Sequence, residues 1–175
     1  PSVIVWTPFN ESWGVPEIKT DRMQQDFTVG IYYLTKALDK NRQVISNDGW
    51  EHTKSDILTL HDYEQDGESL LSRHTDDLYE ILDNEIYHNG FKSALANGFE
   101  YDGEPILISE YGGAAFQNSA QGSAWGYGQN VKDEKEFLKR MDDLTSAIKS
   151  VPAICGYCYT QVSDVEQEVN GLVDT

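Results

Sequence analysis

Apolar residues fall along the chain in two kinds of segment. Runs within residues 1–9, 43–46, 57–60, 105–108 and 153–159 are short, rich in β-branched and aromatic side chains, and break off at polar residues. Continuous runs of this length predict strands buried on both faces, as in a parallel sheet. Between them, Met23, Phe27, Ile31, Leu34 and Leu38 recur at three- and four-residue steps, which predicts an amphipathic helix over residues 21–39. Leu70, Leu71, Leu78, Ile81, Leu82 and Ile86 predict one or two further helices, with a break at Asn89-Gly90. Phe137, Leu138, Met141, Leu144 and Ile148 predict a last helix over 133–150, stopped by Pro152. Residues 112–130, rich in Gly, Ser and Asn and carrying Trp125 and Tyr127, read as a long mobile loop. Trp6 reads as core.

The order is therefore β-α-β, a short connection, then β-α-β-α-β, an α/β pattern that fits half of a barrel or a doubly wound sheet. No Gly-rich phosphate loop follows any strand, which weighs against the nucleotide-binding form. In a (β/α)8 barrel the reactive groups stand at the C-terminal ends of several strands, and Glu11, Asp48, His61, Glu110 and Tyr159 all fall at such ends. A whole barrel needs eight strands in about 250 residues. This chain has 175 residues and begins inside an apolar run. The expectation is a partial (β/α)8 barrel, strands four to eight in one parallel sheet, with residues 1–175 as a single partial domain cut from a longer chain.

Composition narrows the partners. A hydrophobic content of 39% with 11% aromatic residues is enough for a core, so the chain reads as globular. Thirty acidic residues against 13 basic give a formal charge of −17, which disfavours a phosphate backbone or an anionic membrane surface. No apolar run approaches the roughly 18 residues of a membrane span, and the first residues read as strand rather than leader, so the compartment stays undecided. Cys155 and Cys158 have C-x-x-C spacing but sit on an expected strand, where residues three apart lie about 10 Å apart on opposite faces. They read as buried, reduced thiols.

The chemistry centres on two carboxylates. Val3–Trp6 runs into Asn10-Glu11, and Ile106–Ile108 into Ser109-Glu110-Tyr111-Gly112-Gly113. Two strands each delivering a Glu at the same end suggest a catalytic acid pair, against the plainer reading of two solvated acids among 30. Trp50 and Trp125 read either as stacking faces for a bound ring or as core. Asp48 and His52 read either as binders of hydroxyl groups or as ordinary Asn-Asp-Gly turn chemistry. Asp164 and Glu166 read as a solvated acidic loop. No H-E-x-x-H or acidic ligand spacing appears, so neither metal nor cofactor is expected.

The Pro1–Trp6 run with Asn10-Glu11-Ser12, the Ser109–Gly113 run, and the closing run from Tyr157 to Leu172 together resemble the catalytic barrel of glycoside hydrolase family 2, which includes β-galactosidases, β-glucuronidases and β-mannosidases. The resemblance spans the whole chain in order, and the closing run is most like galactosidase-like members. It implies that Glu11 is the general acid/base, that Asn10 bonds the sugar 2-hydroxyl, and that Glu110 is the nucleophile of a retaining β-glycosidase. In such an enzyme the two carboxyls lie about 5 Å apart and environment separates their protonation states. The resemblance also implies that Tyr63 or His61, with Tyr63 preferred, bonds the nucleophile. Tyr159 falls where many relatives carry a Trp under the sugar, a departure that puts the usual stacking in doubt. The implied partners are a carbohydrate, galactoside, glucuronide or mannoside, together with the remaining barrel strands and β-sandwich domains of a parent chain.

Two other classes compete. The chain would be a non-catalytic fragment or carbohydrate-binding piece if it keeps the residues without the activity. Alone, with open strand edges, it is expected to be inactive and to self-associate. A Ser or Cys hydrolase is disfavoured because no G-x-S-x-G elbow is present.

Overall fold

The computed structural model describes residues 2–88, 90–116 and 124–173. Its elements, in chain order, are β1 (Val5–Trp6), β2 (Phe9–Asn10), α1 (Arg22–Leu38), β3 (Gln43–Val44), β4 (Asn47–Asp48), β5 (Leu58–Asp62), α2 (Gly67–Thr75), α3 (Leu78–Leu82), β6 (Ile106–Gly112), α4 (Glu134–Ser150) and β7 (Ile154–Thr160). The fold is mixed α/β with parallel strands. The single sheet expected from the sequence is instead three separate ladders, β1-β3, β2-β4 and β5-β6-β7. The first ladder ends where Ile45 donates its amide to Trp6 O at 2.9 Å. Pro8, which has no N–H to give, then interrupts the pairing before Phe9 and Asn10 resume it opposite Asn47 and Asp48. Glu110 lies within β6 rather than after it.

Contacts divide the chain into two compact units, Pro1–His61 with Asp77–Ser109, and Asp62–Asp76 with Glu110–Thr175. In the first, the core is built from Val15, Ile18, Val44, Ile45, Leu58, Leu60, Leu78, Ile81, Leu82 and Ile108, all buried. Helix α1 starts where the Asp21 carboxylate accepts the Met23 amide, an N-cap. Its apolar stripe does not face the core: Met23 is 75% exposed and Leu38 is 82% exposed, with Phe27 and Leu34 more than half exposed. The row that packs inward is Gln25, Thr28 and Tyr32, held by directed bonds rather than apolar contact. Gln25 Nε2 donates to Ile18 O at 3.0 Å, Thr28 Oγ1 meets Thr53 Oγ1 at 2.9 Å, and Tyr32 donates to Asp56 at 2.7 Å. Trp6, expected in the core, is also exposed, its indole N–H donating to Asp39 at 3.1 Å.

In the second unit α2 packs on α4. A Cβ on Gly67 would lie 2.9 Å from the Asp143 carbonyl oxygen, so the helices meet at backbone distance only because that position is glycine. Helix α4 buries Phe137, Leu144, Ala147 and Ile148, with Phe137 packed in a cluster with Ala114, Val131 and the ring of Tyr159, while Leu138 faces out. Cys155 and Cys158 are exposed on β7, so the expectation of buried thiols is corrected. Side chains on both faces of β7 stay partly or fully exposed among the described residues, so alternation along the strand buries neither cysteine. The expected mobile loop falls in part on residues 117–123, and the expected break in part on Asn89, both outside the described residues. The described flanks of the loop are pinned by Tyr127 N–H to Gly113 O and Val131 N–H to Ala115 O, each 2.8 Å.

Candidate functional site

In the first unit the polar chemistry gathers around His61. Glu11 follows β2 on a left-handed turn, φ +51 at Glu11 and +60 at Ser12, with the Glu11 amide donating to Asp48 O at 2.9 Å. Its Oε1 lies 2.8 Å from Nδ1 of His61, which is wholly buried near the end of β5. The other ring nitrogen, Nε2, lies 3.5 Å from Asp48 Oδ2. An imidazole thus stands between two carboxylates. Asp48 also accepts the Ser109 hydroxyl at 2.6 Å. Burial alone would raise the Asp48 carboxyl, but the bond and charge of His61 and the Ser109 bond outweigh it and hold the group below the usual carboxylate range. Gly49 makes this approach feasible: at φ +99 it adopts a conformation that other residues avoid, and a Cβ there would lie 2.7 Å from the His61 ring.

Asn10 pairs with Asp48 through the ladder and is itself exposed. Trp50 is 8% exposed, with the His61 ring edge-on at 5.5 Å and the Lys92 ammonium 5.4 Å from its centroid. His52 is buried, its Nε2 engaged with the Thr59 carbonyl at 2.8 Å, and burial pushes its pKa down. That is a wall-building role, tying the loop after β4 to β5.

In the second unit the centre is Glu110. Tyr63, just past β5, donates its phenol to Glu110 Oε2. Burial first, then the negative charge of Glu110 and the hydrogen bond to it, push the Tyr63 phenol far above its ordinary value. Tyr63 stacks on Tyr127, rings 3.4 Å apart and nearly parallel, and Trp125 meets Tyr127 edge-on at 5.3 Å. Trp125 is 42% exposed, and its segment is tied to the closing loop by Trp125 N–H to Gln167 O at 2.8 Å and Val169 N–H to Trp125 O at 2.9 Å. Gln65 Nε2 bridges Tyr63 O and Gly112 O, both at 2.9 Å. Tyr159 packs flat against Gly112, where a Cβ would lie 2.3 Å from its ring, with Tyr111 and Phe137 edge-on to it.

Two groups of supporting residues had no reading in the sequence. One is Ser12, Asn47, Glu51 and Lys92 around the Glu11 turn. The other is Asp62 with Arg73 and His74: Asp62, 1% exposed, takes Arg73 Nη1 at 2.6 and 2.7 Å and His74 Nε2 at 2.9 Å. Against its burial, these partners hold the Asp62 carboxyl well below the usual carboxylate range. Tyr127 was visible only as an aromatic in a loop. The one sequence signal for any of them is the acid density of residues 61–68 beside the Arg73-His74 pair.

No protein-family model and no curated protein sequence matches the chain. Its fold does match solved structures. A GH2 β-galacturonidase from Eisenbergiella tayi, solved bound to galacturonate, is 17% identical, with a TM-score of 0.64 over 99% of this chain and 30% of that one. A β-glucuronidase from an uncultured Clostridium is 14% identical at a TM-score of 0.63, again over 99% and 30%. A Bacteroides uniformis β-glucuronidase is 15% identical at 0.61, over 99% of this chain and 22% of its own. The chain spans about a third or less of the length of these enzymes, and along nearly all of its own length it has the fold of a section of a family 2 glycoside hydrolase.

Proposed function

We propose that the chain is the section of a (β/α)8 barrel, strands four to eight, that carries both carboxylates of a retaining β-glycoside hydrolase, with Glu110 as nucleophile and Glu11 as general acid/base. The hydrogen bond from Tyr63 to Glu110 is the observation that carries the reading. The phenol, pushed far above its ordinary value, keeps its proton and donates it in a hydrogen bond to the Glu110 carboxylate. A hydrogen bond donated to a carboxylate favours its ionised form, which is the state an attacking nucleophile needs. Glu11 instead faces the imidazole of His61, a group able to stand on either side of a proton transfer.

In the reaction this implies, a Glu110 oxygen attacks the anomeric carbon. The bond to the leaving oxygen breaks as Glu11 gives that oxygen its proton. A water then loses a proton to Glu11 and attacks the same carbon, displacing Glu110 and restoring both groups. Asn10, Asp48 and Trp125 are proposed to meet sugar or leaving-group atoms. The closing run favours a β-galactoside, and the names of the solved relatives add glucuronides and galacturonides as the second substrate class.

The test is a panel of para-nitrophenyl β-galactoside, β-glucuronide, β-galacturonide and β-mannoside offered to the full polypeptide, with the first-formed sugar anomer read by NMR. Turnover of one member with the β-anomer formed first is expected. No turnover of any, or the α-anomer first, would overturn the proposal.

A further inference from the structure

Glu51 is a buried acid that the reaction above does not use. It is 4% exposed, sits at φ +49, and follows the Asn47-Asp48-Gly49-Trp50 run. Its Oε2 accepts the Ser12 hydroxyl at 2.6 Å, and Lys92 Nζ reaches both carboxylate oxygens at 3.2 Å. Ser12, the residue after Glu11, is held on three sides. Its amide donates to Asn47 Oδ1 at 2.9 Å, its hydroxyl accepts from Asn47 Nδ2 at 3.1 Å, and its hydroxyl proton goes to Glu51. Asn47 Nδ2 also donates to Trp50 O at 2.8 Å, which fixes the amide's orientation.

These bonds hold Ser12, and Ser12 and Glu11 are the adjacent pair whose backbone lies in the left-handed region that non-glycine residues disfavour. We infer that Glu51, acting through Ser12 and with Asn47, is a positioning residue for Glu11: the network clamps the left-handed turn and so aims the Glu11 carboxyl. Lys92 balances the charge of Glu51, so the clamp brings no uncompensated negative charge beside the group it aims. The inference rests on reading Glu11 as the general acid.

A residue that acts through the acid matters most when the leaving group needs a proton. The experiment, made on the full polypeptide, compares kcat/KM for a phenyl glycoside, which needs protonation, with that for a dinitrophenyl glycoside, which leaves unaided, in wild type and Ser12→Ala. A displacement near 1 Å at the reacting group costs about a hundredfold, so a loss of tenfold or more on the phenyl glycoside is expected, with under about twofold on the dinitrophenyl one. Glu51→Ala should lose in the same selective way, and Glu51→Gln, which keeps an oxygen for the Ser12 hydroxyl, should recover most of that loss. Equal losses on both substrates, or none, would overturn the inference. Failure of wild type to hydrolyse even the dinitrophenyl glycoside would count against the glycosidase reading instead. The clamp is then judged by hydrogen exchange: the amides of residues 11 and 12 should exchange at least about tenfold faster in Glu51→Ala while β5 is unchanged, and unchanged exchange would overturn it.

Discussion

Replacing Asp62 by Asn isolates how far the second unit depends on one buried charge. The carboxylate is 1% exposed and takes three close bonds, two from Arg73 and one from His74, whose side chain is fully buried. Removing one member of a buried ion pair costs about 3–5 kcal/mol, because the partner is left desolvated and uncompensated. Here the lower end applies. Arg73 is 30% exposed and keeps Glu64 at 3.1 Å, so the loss falls mainly on the contact with the wholly buried His74. About 3 kcal/mol is a large part of a typical total of 5–15 kcal/mol. For a chain of this size it should lower Tm by roughly 6–12 °C. Urea unfolding should show a lower midpoint at unchanged slope. The control is Asp66→Ala, which removes the exposed N-cap of α2 and should shift the midpoint much less than Asp62→Asn. The pH dependence has a definite sign. A carboxyl held below its unfolded value of about 3.9 contributes stability that is complete above that pH and lost as pH falls through the folded value. The gap between wild type and Asp62→Asn should therefore be full at neutrality and close only well below about pH 4. A cost under about 1 kcal/mol at pH 7, or a gap that widens in acid, would refute the reasoning.

Tyr63→Phe removes the donor from Glu110 while keeping the ring stacked on Tyr127, and should lower kcat by about 10–100-fold with little change in KM, the worth of one charge-assisted hydrogen bond; unchanged steady-state kinetics would exclude the donor role. Added azide should restore turnover to Glu11→Ala but not to Glu110→Gln, and the reverse pattern of rescue would exchange the two roles. Gly49→Ala places a methyl 2.7 Å from the His61 ring at φ +99, so calorimetry should show a loss of about 2 kcal/mol or more, and a neutral result would mean that His61 is not held where it stands.

What could be read from the sequence was what depends on local pattern. The apolar runs at residues 57–60 and 105–108 did become β5 and β6, and the stop at Pro152 did close α4. What could not be read depended on partners distant in the chain. Glu11 meets an imidazole 50 residues away and Glu110 a phenol 47 residues away, and no periodicity encodes either meeting. Helix α1 shows the limit from the other side. Its spacing of Met23, Phe27, Leu34 and Leu38 is amphipathic, yet the buried row is Gln25, Thr28 and Tyr32, because their hydrogen bonds to Ile18, Thr53 and Asp56 decide which face turns inward. A moment computed from hydrophobicity cannot weigh bonds whose acceptors lie on other segments.

The backbone adds a signal that composition lacks. Among the described residues, left-handed φ at non-glycine positions occurs at Glu11, Ser12, Glu51, Asn84 and Glu166. Asn84 is the kind of residue that tolerates the region, and its side chain bonds both the amide and the carbonyl of Leu95. Glu166 sits in a tight turn closed by the mutual bonds of Val165 and Glu168. Of the other three, Ser12 and Glu51 share one buried network and Glu11 directly precedes Ser12, and each carries about 1–2 kcal/mol of conformational cost. Apolar packing is non-directional and would let such residues relax toward ordinary φ values. Only directed bonds with fixed acceptors, such as Asn47 Oδ1 on the Ser12 amide and Glu51 on the Ser12 hydroxyl, specify a conformation that sterics oppose. The polar interior beneath Glu11 is therefore the physical requirement of the turn that presents it, and strain of this kind, concentrated at one carboxylate and its clamp, is what a chain retains where geometry matters more than stability.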